Sequence, residues 1–263
     1  MSLFAAVQRL LGFGKISLGT VRHHANWSAT LNGIHEFNVY LPPGYERESS
    51  REYPVLYLLH GYGDDETSWL RRGHVRAIAD KLIGNGQMAE TIIVMPSCYG
   101  DLRILECGEY ALCSDDDLQW NTRRFTELLI SEVIPQVEKE YRVGTHGQSR
   151  AIAGVSMGGA QALEIGLTHT ESFCWVGAFS AAEVSGGLGN YLCSHPGEIG
   201  KPLGIWLSCD SKETLFEANL ALQAQLKAAG YSSVLKVVDD HGHHWKTWRN
   251  NLVEFMPLLF RGQ

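Results

Sequence analysis

Six cysteines are spread through the 263 residues (Cys98, Cys107, Cys113, Cys174, Cys193, Cys209), yet no two of them stand as C-x-x-C. That absence removes zinc ribbons and dithiol redox motifs from consideration. Cys174 and Cys209 sit inside apolar runs, where a free thiol packs as a small hydrophobe. The cysteines are read as reduced. A pair among Cys98, Cys107 and Cys113 stays open, because spacing does not give connectivity. Positive charge is also in short supply, with 22 Lys and Arg against 29 Asp and Glu for a formal charge of -7. Nothing in that balance attracts nucleic acid or an anionic membrane surface. No apolar run reaches the roughly 18 residues of a membrane span. The apolar start, "MSLFAAVQRLLGFGKISLG", is interrupted by Arg9 and followed by no A-x-A-like site, so it is not read as a signal peptide. Proline is scarce at 8 residues, and no Pro-, Gly- or Ser-rich linker or internal repeat divides the chain. The expectation is a cytoplasmic protein: residues 1–20 form a helical N-terminal extension packed on the body or on a partner subunit, which leaves a homo-oligomer open, and residues 21–263 form one domain.

What the sequence does contain is a series of short apolar runs bounded by turn residues: 36–41, 53–60, 91–97, 151–156, 173–180, 204–209 and 233–238. Each has the length of a buried strand. Helix-length amphipathic segments at 122–141, 157–169 and 213–230 lie between them. Strands that are apolar throughout and alternate with helices predict an α/β fold with a mostly parallel central sheet covered on both faces. Pro135 predicts a kink or break near Ile134 in the second helix-length segment's predecessor, 122–141. Residues 97–121 show no periodicity, which marks a functional loop. Asp115, Asp116 and Asp117 within it read as a solvated acidic turn, since consecutive carboxylates do not converge on one ion.

Gly154-Val155-Ser156-Met157-Gly158 matches G-x-S-x-G at the junction of an expected strand and an expected helix. A sharp strand-to-helix turn crowds its neighbours, so small residues at 154 and 158 let the Ser156 hydroxyl project from the sheet edge. A serine hydroxyl needs a base to take its proton and an acid to hold that base. The base is sought in "VVDDHGHHWKTW", where His241, His243 and His244 compete and His243 lies in the loop after the last strand. The acid is sought after the preceding strand, where Asp210, Glu213 and Glu217 are offered. Clustered histidines also admit a metal reading, but no further ligand stands at a recognisable spacing. The His60-Gly61 turn can aim the Tyr62 N–H at an oxyanion beside the Met157 N–H, with His60 itself structural.

Four segments, "VYLPPGY" (39–45), "YPVLYLLHGYGDDETSW" (53–69), "IAGVSMGGAQAL" (152–163) and "HGHHWKTW" (241–248), together resemble the putative-esterase family of α/β-hydrolases. That family includes feruloyl and acetylxylan esterases, tributyrin-type esterases, S-formylglutathione hydrolases and mycolyltransferases. The resemblance implies Ser156 as nucleophile, His243 as base, and an oxyanion hole from the Tyr62 and Met157 backbone N–H groups. At the acid the chain departs from the family, with Asp210 where a glycine usually follows the cysteine; the resemblance points to Glu213, with Asp210 as the substitute. The expected activity is a serine carboxylesterase acting through an acyl-enzyme on short-chain acyl or aryl, feruloyl-like esters, with no cofactor and no metal. Acyl transfer on the same triad and a non-catalytic binding module are the alternatives. Pocket shape is expected from residues 62–75, 97–121 and 181–202, with Trp69, Tyr99, Trp120 and Tyr191 either lining an aryl cleft or simply packing.

Overall fold

A computed structural model describes residues 18–182, 203–239 and 241–261. The expected helix at the N-terminus (residues 1–17 of it), most of the 181–202 segment, Tyr191 and Cys193 lie outside the described residues. Eight strands form one sheet in the order β1-β2-β4-β3-β5-β6-β7-β8. β1 (Thr20–Ser28) and β2 (Gly33–Leu41) make an antiparallel hairpin, and β2 runs antiparallel to β4 (Ile92–Pro96). From β4 onward every pairing is parallel, through β3 (Val55–Leu59), β5 (Arg150–Val155), β6 (Trp175–Phe179), β7 (Gly204–Asp210) and β8 (Ser233–Val238). Every residue of β3, β4 and β5 is buried, as expected of strands covered on both faces.

Alternation along the strands divides the core in two. Along β3, Val55, Tyr57 and Leu59 join one apolar cluster, while Leu56 and Leu58 join the other. The first cluster receives Phe125 and Leu128 from α3 (Asp115–Leu128), Val137 from α4 (Ile134–Glu140), Leu163 from α5 (Met157–Thr168) and Leu226 from α6 (Phe216–Ala228). On the opposite face α2 (Val75–Gly84) contributes Val75 and Ala79, and α7 (Trp245–Phe255) contributes Leu252 and Phe255. The short helix α1 (Ser68–Arg71) follows β3. Among the described residues no helix is long and apolar enough to cross a membrane.

The structure differs from the sequence expectation in three places. β1, "TVRHHANWS", has little apolar periodicity because most of it is at the exposed sheet edge; its nine-residue register with β2, a tertiary contact, makes it a strand. The helix expected to start at 122 starts at Asp115, so the unpatterned stretch is shorter than 97–121 and holds two tight turns, Leu102–Cys107 and Tyr110–Leu112. The acidic triplet is accordingly not a free turn. Ser114 caps the helix by accepting the Asp117 N–H at 3.2 Å, and Asp115, Asp116 and Asp117 occupy the first turn, where the helix dipole favours negative charge. Pro135 acts near the expected place. It lacks an N–H and crowds the preceding carbonyls, and the helix widens into a π turn over Leu129–Val133 before resuming at Ile134. The described cysteines are free thiols, with Cys98, Cys174 and Cys209 buried.

Strand order also locates the functional edge. The chain leaves β3 for β4 on one side and later returns to β5 on the other, so the loops after β3 and β5 part at their carboxyl ends and leave a crevice. The two segments bordering it touch through backbone: a Cβ built on Gly158 would lie 2.3 Å from the His60 carbonyl oxygen and 2.8 Å from Leu59 Cβ. Gly158→Ala is therefore expected to destabilise the protein by about 1–3 kcal/mol or more, the range for overpacking a filled interior, and urea denaturation checks it.

Candidate active site

Ser156 closes β5 and opens α5 with φ 54° and ψ -119°, a backbone region that costs an L-residue on the order of 1–3 kcal/mol. Tight neighbours hold it there. A Cβ on Gly154 would fall 2.3 Å from the Gly158 carbonyl oxygen, so this turn closes only with glycine at both positions. The Ser156 N–H donates to the Phe179 carbonyl at 3.0 Å, and its own carbonyl accepts from Ala160 and Ala182 at 3.0 and 3.1 Å. Backbone pairing thus leaves the hydroxyl as the part of Ser156 free to do chemistry.

The turn after β3 lies against this elbow. A Cβ on Gly61 would come within 3.4 Å of Ser156 Cβ, so the step into Tyr62 runs beside the serine. His60 is fully enclosed and serves as a clasp: its Nδ1–H donates to the Gly61 carbonyl at 2.8 Å, and its Nε2 accepts the Cys98 N–H at 3.0 Å. Burial holds the imidazole below its ordinary range, so it stays neutral, as the acceptor role of Nε2 requires. Tyr99 braces the same turn, with its ring 5.0 Å from His60 and its hydroxyl accepting the Gly63 N–H at 2.8 Å. Met157 is the first residue of α5, where a backbone N–H has no acceptor within the helix. The Tyr62 side chain points elsewhere, donating from its hydroxyl to the Ile104 carbonyl at 3.0 Å.

His243 and Glu213 meet: the imidazole Nδ1 lies 2.7 Å from Glu213 Oε2. The Glu213 side chain is 1% exposed and the His243 side chain 40% exposed, so the carboxylate is enclosed while the ring is partly open to solvent. Trp248 packs edge-to-face on the ring at 4.9 Å. Asp210 does not meet the histidine ring. Its Oδ2 accepts the His241 and Gly242 N–H groups at 3.0 and 2.9 Å, and its Oδ1 accepts the Lys212 N–H at 2.9 Å, which shapes the loop carrying His243. The neighbouring histidines are occupied otherwise. His244 caps α7 by accepting the Lys246 N–H at 3.2 Å, and His241 pairs with the Lys246 ammonium. Among the described residues no group of three metal-ligating side chains converges.

Of the aromatic residues considered for a cleft, Trp69 belongs to the core: it is 1% exposed, donates its indole N–H to the Leu59 carbonyl at 2.9 Å and packs on Trp245 and Phe179. Trp120 is half-exposed and donates to Asp101 at 3.2 Å. Sequence reasoning missed Ser180 and Trp248, which join Glu213 and His243 in one network. Trp248 stands within "HGHHWKTW", but no local pattern marks Ser180, whose partners come from other elements.

Residues 28–259 match the family model described as Putative esterase. The chain is 32% identical over 252 residues, 94% of its length, to an endo-1,4-beta-xylanase/feruloyl esterase from Xylanibacter ruminicola, of which it spans only 32%. It is 23% identical to an acetyl esterase from Caldicellulosiruptor saccharolyticus, covering 80% of this chain and 85% of that one. A solved ferulic acid esterase superposes with a TM-score of 0.79 at 28% identity, covering 93% of this chain and 99% of the other. With a mostly parallel eight-stranded sheet and the Ser156 elbow at the end of its β5, the chain has the α/β-hydrolase fold and belongs to the Putative esterase family.

Proposed function

We propose that the chain is a serine carboxylesterase acting through an acyl-enzyme, with Ser156 as nucleophile, His243 as general base and Glu213 as the acid that orients it. The 2.7 Å contact between His243 Nδ1 and the enclosed Glu213 carboxylate carries this reading. A carboxylate on Nδ1 fixes the tautomer with Nε2 free to accept a proton, and it stabilises the imidazolium that forms when Ser156 attacks. The proton passes from the Ser156 hydroxyl to His243 and then to the departing alcohol. Water repeats the sequence to release the acid. The N–H groups of Tyr62 and Met157 are the donors for the tetrahedral oxyanion, one from each border of the crevice.

Substrates of the class proposed are short-chain acyl or aryl, feruloyl-like esters. The relatives named as a feruloyl esterase and an acetyl esterase support that range. The segment from Asp101 to Ser114 is proposed as one wall of the cleft, because Ile104 accepts from the Tyr62 hydroxyl and the Tyr110 ring packs on Tyr62 at 5.7 Å.

Three measurements test the reading. Ser156→Ala is expected to lower kcat on p-nitrophenyl acetate and methyl ferulate by up to a roughly million-fold factor and to abolish labelling by an organophosphonate; retention of more than a few per cent of turnover refutes the nucleophile. Glu213→Gln is expected to lower kcat on the order of ten-thousand-fold, with Asp210→Asn falling far less because Asp210 acts on loop amides. The reverse ranking in folded protein moves the acid to Asp210. Activity is also expected to survive dialysis against EDTA, since each step uses side chains and backbone; loss restored by a divalent ion overturns this.

A further inference from the structure

Glu213 has two carboxylate oxygens, and only Oε2 faces His243. Oε1 accepts the Ser180 hydroxyl at 2.7 Å and the Asp210 N–H at 3.3 Å. Ser180 Oγ in turn accepts the Trp248 indole N–H at 3.2 Å. Ser180 is fully buried and Trp248 nearly so, which leaves no water to replace either bond. Donor and acceptor types give this chain one direction. An indole N–H only donates and an ionised carboxylate only accepts, so the single hydroxyl proton of Ser180 is directed at Glu213.

The backbone of Ser180 adds an independent observation. Its φ is 48°, in the left-handed region where glycine is unstrained and serine is not, and its N–H is held by the Ser208 carbonyl at 2.7 Å. The residue at this buried, strained position carries one polar atom, and that atom is spent on the acid and on Trp248. Trp248 reaches the pair a second way, through its edge-to-face contact with the His243 ring at 4.9 Å.

We propose that Ser180 and Trp248 are positioning residues for the Glu213–His243 pair: the Trp248 N–H orients the Ser180 hydroxyl, and that hydroxyl holds the Glu213 carboxylate with Oε2 turned to the imidazole. This rests on the triad reading above. Among the described residues, the other titratable groups around the pair are Cys209 and Asp210 on β7, Lys212 beside them, His241 and His244 in the following loop and Lys246 on α7. Cys209 is neutral, burial pushing its thiol up to about 12, and Asp210 and the two flanking histidines have the loop partners already described. Lys212 forms an ion pair with Asp239 at 2.7 Å. Ser180 is thus the side chain that donates to Oε1 among the described residues.

Removing the hydroxyl has a consequence whose sign does not depend on which atom of the pair holds a proton. The active state of the pair carries one negative charge, with Glu213 ionised and His243 neutral. Losing a donor to that charge disfavours it against the state with one more proton, so the pair binds its first proton more tightly. The acidic limb of the pH profile of kcat/KM moves to higher pH.

The test compares Ser180→Ala, Trp248→Phe and the double variant, each confirmed as folded by circular dichroism, with p-nitrophenyl acetate as substrate. Ser180→Ala is expected to lower kcat on the order of tenfold or more, to leave KM within a small factor, and to move the acidic limb up by a few tenths of a pH unit to about one unit, the upper figure being one hydrogen bond to a charged group lost in full. Trp248→Phe keeps an aromatic edge near His243 and is expected to move the limb in the same direction by less. The double variant is expected to match Ser180→Ala, because the indole N–H acts on the acid only through the serine. An unmoved limb in folded Ser180→Ala overturns the proposal, and so do shifts that add in the double variant. Should the alanine variant not accumulate, Ser180→Gly removes the hydroxyl while relaxing the positive φ and is read by the same criteria. Failure of the triad itself is recognised separately, by turnover surviving in Ser156→Ala or Glu213→Gln.

Discussion

The approach of the His60 carbonyl to the backbone of Gly158 is the contact on which the rest of the site depends. It brings the end of β3 against the first turn of α5, segments nearly a hundred positions apart, at a separation that admits no side chain. Because Gly61 follows His60 and Met157 precedes Gly158, the same approach brings the Tyr62 and Met157 segments to the two borders of one crevice. His60 holds the turn from below by joining the Gly61 carbonyl to the Cys98 N–H, which ties the loops after β3 and β4 together. An imidazole suits this task because the neutral ring offers one donor and one acceptor at a fixed angle, and burial keeps it neutral.

Polar groups on the other side of the crevice are organised by a different constraint, the cost of enclosing charge. Two carboxylates stand three residues apart at the end of β7, and both are buried. Each is satisfied, but by different partners. Asp210 spends its oxygens on backbone N–H groups of its own loop and of residues 241 and 242, which curls the segment so that His243 is presented one residue later. Glu213, one turn further along, has the reach to meet the ring. The pair thus divides the work of building a loop and of contacting His243, and neither carboxylate is left without donors in an apolar surrounding.

Aromatic packing stiffens the floor beneath both borders. Trp69, Trp245 and Trp248 stack edge-to-face in sequence, and Phe179 and Phe255 extend the cluster under β6. Large rings held in such geometry lose little rotamer freedom and transmit position well, so the helix carrying Trp248 and the strand end carrying Ser180 are placed by the core itself. The strained backbones of Ser156 and Ser180 lie at the ends of adjacent strands, β5 and β6, where this rigid floor resists their relaxation.

Sequence by itself determined the parts of this protein that are written in local periodicity. Strands buried on both faces are apolar at nearly every position, so β3 to β7 were legible, and the glycines on both sides of Ser156 marked the elbow and with it the proposed nucleophile. An interruption near Ile134 was legible from one proline, while its form as a π turn came from the structure. What local pattern cannot carry is the choice among equivalents. β1 became a strand through its partner, since an exposed edge leaves little apolar signature, and Asp115 became the first residue of a helix because Ser114 found a capping geometry. Asp210, Glu213 and Glu217 are chemically alike on paper, as are His241, His243 and His244. The fold distinguished them by where each side chain finds donors: Asp210 among amides, Glu213 against the imidazole, His244 at a helix cap. Ser180 was beyond the reach of any motif, because its meaning lies in a carboxylate and an indole delivered from two other elements of the chain.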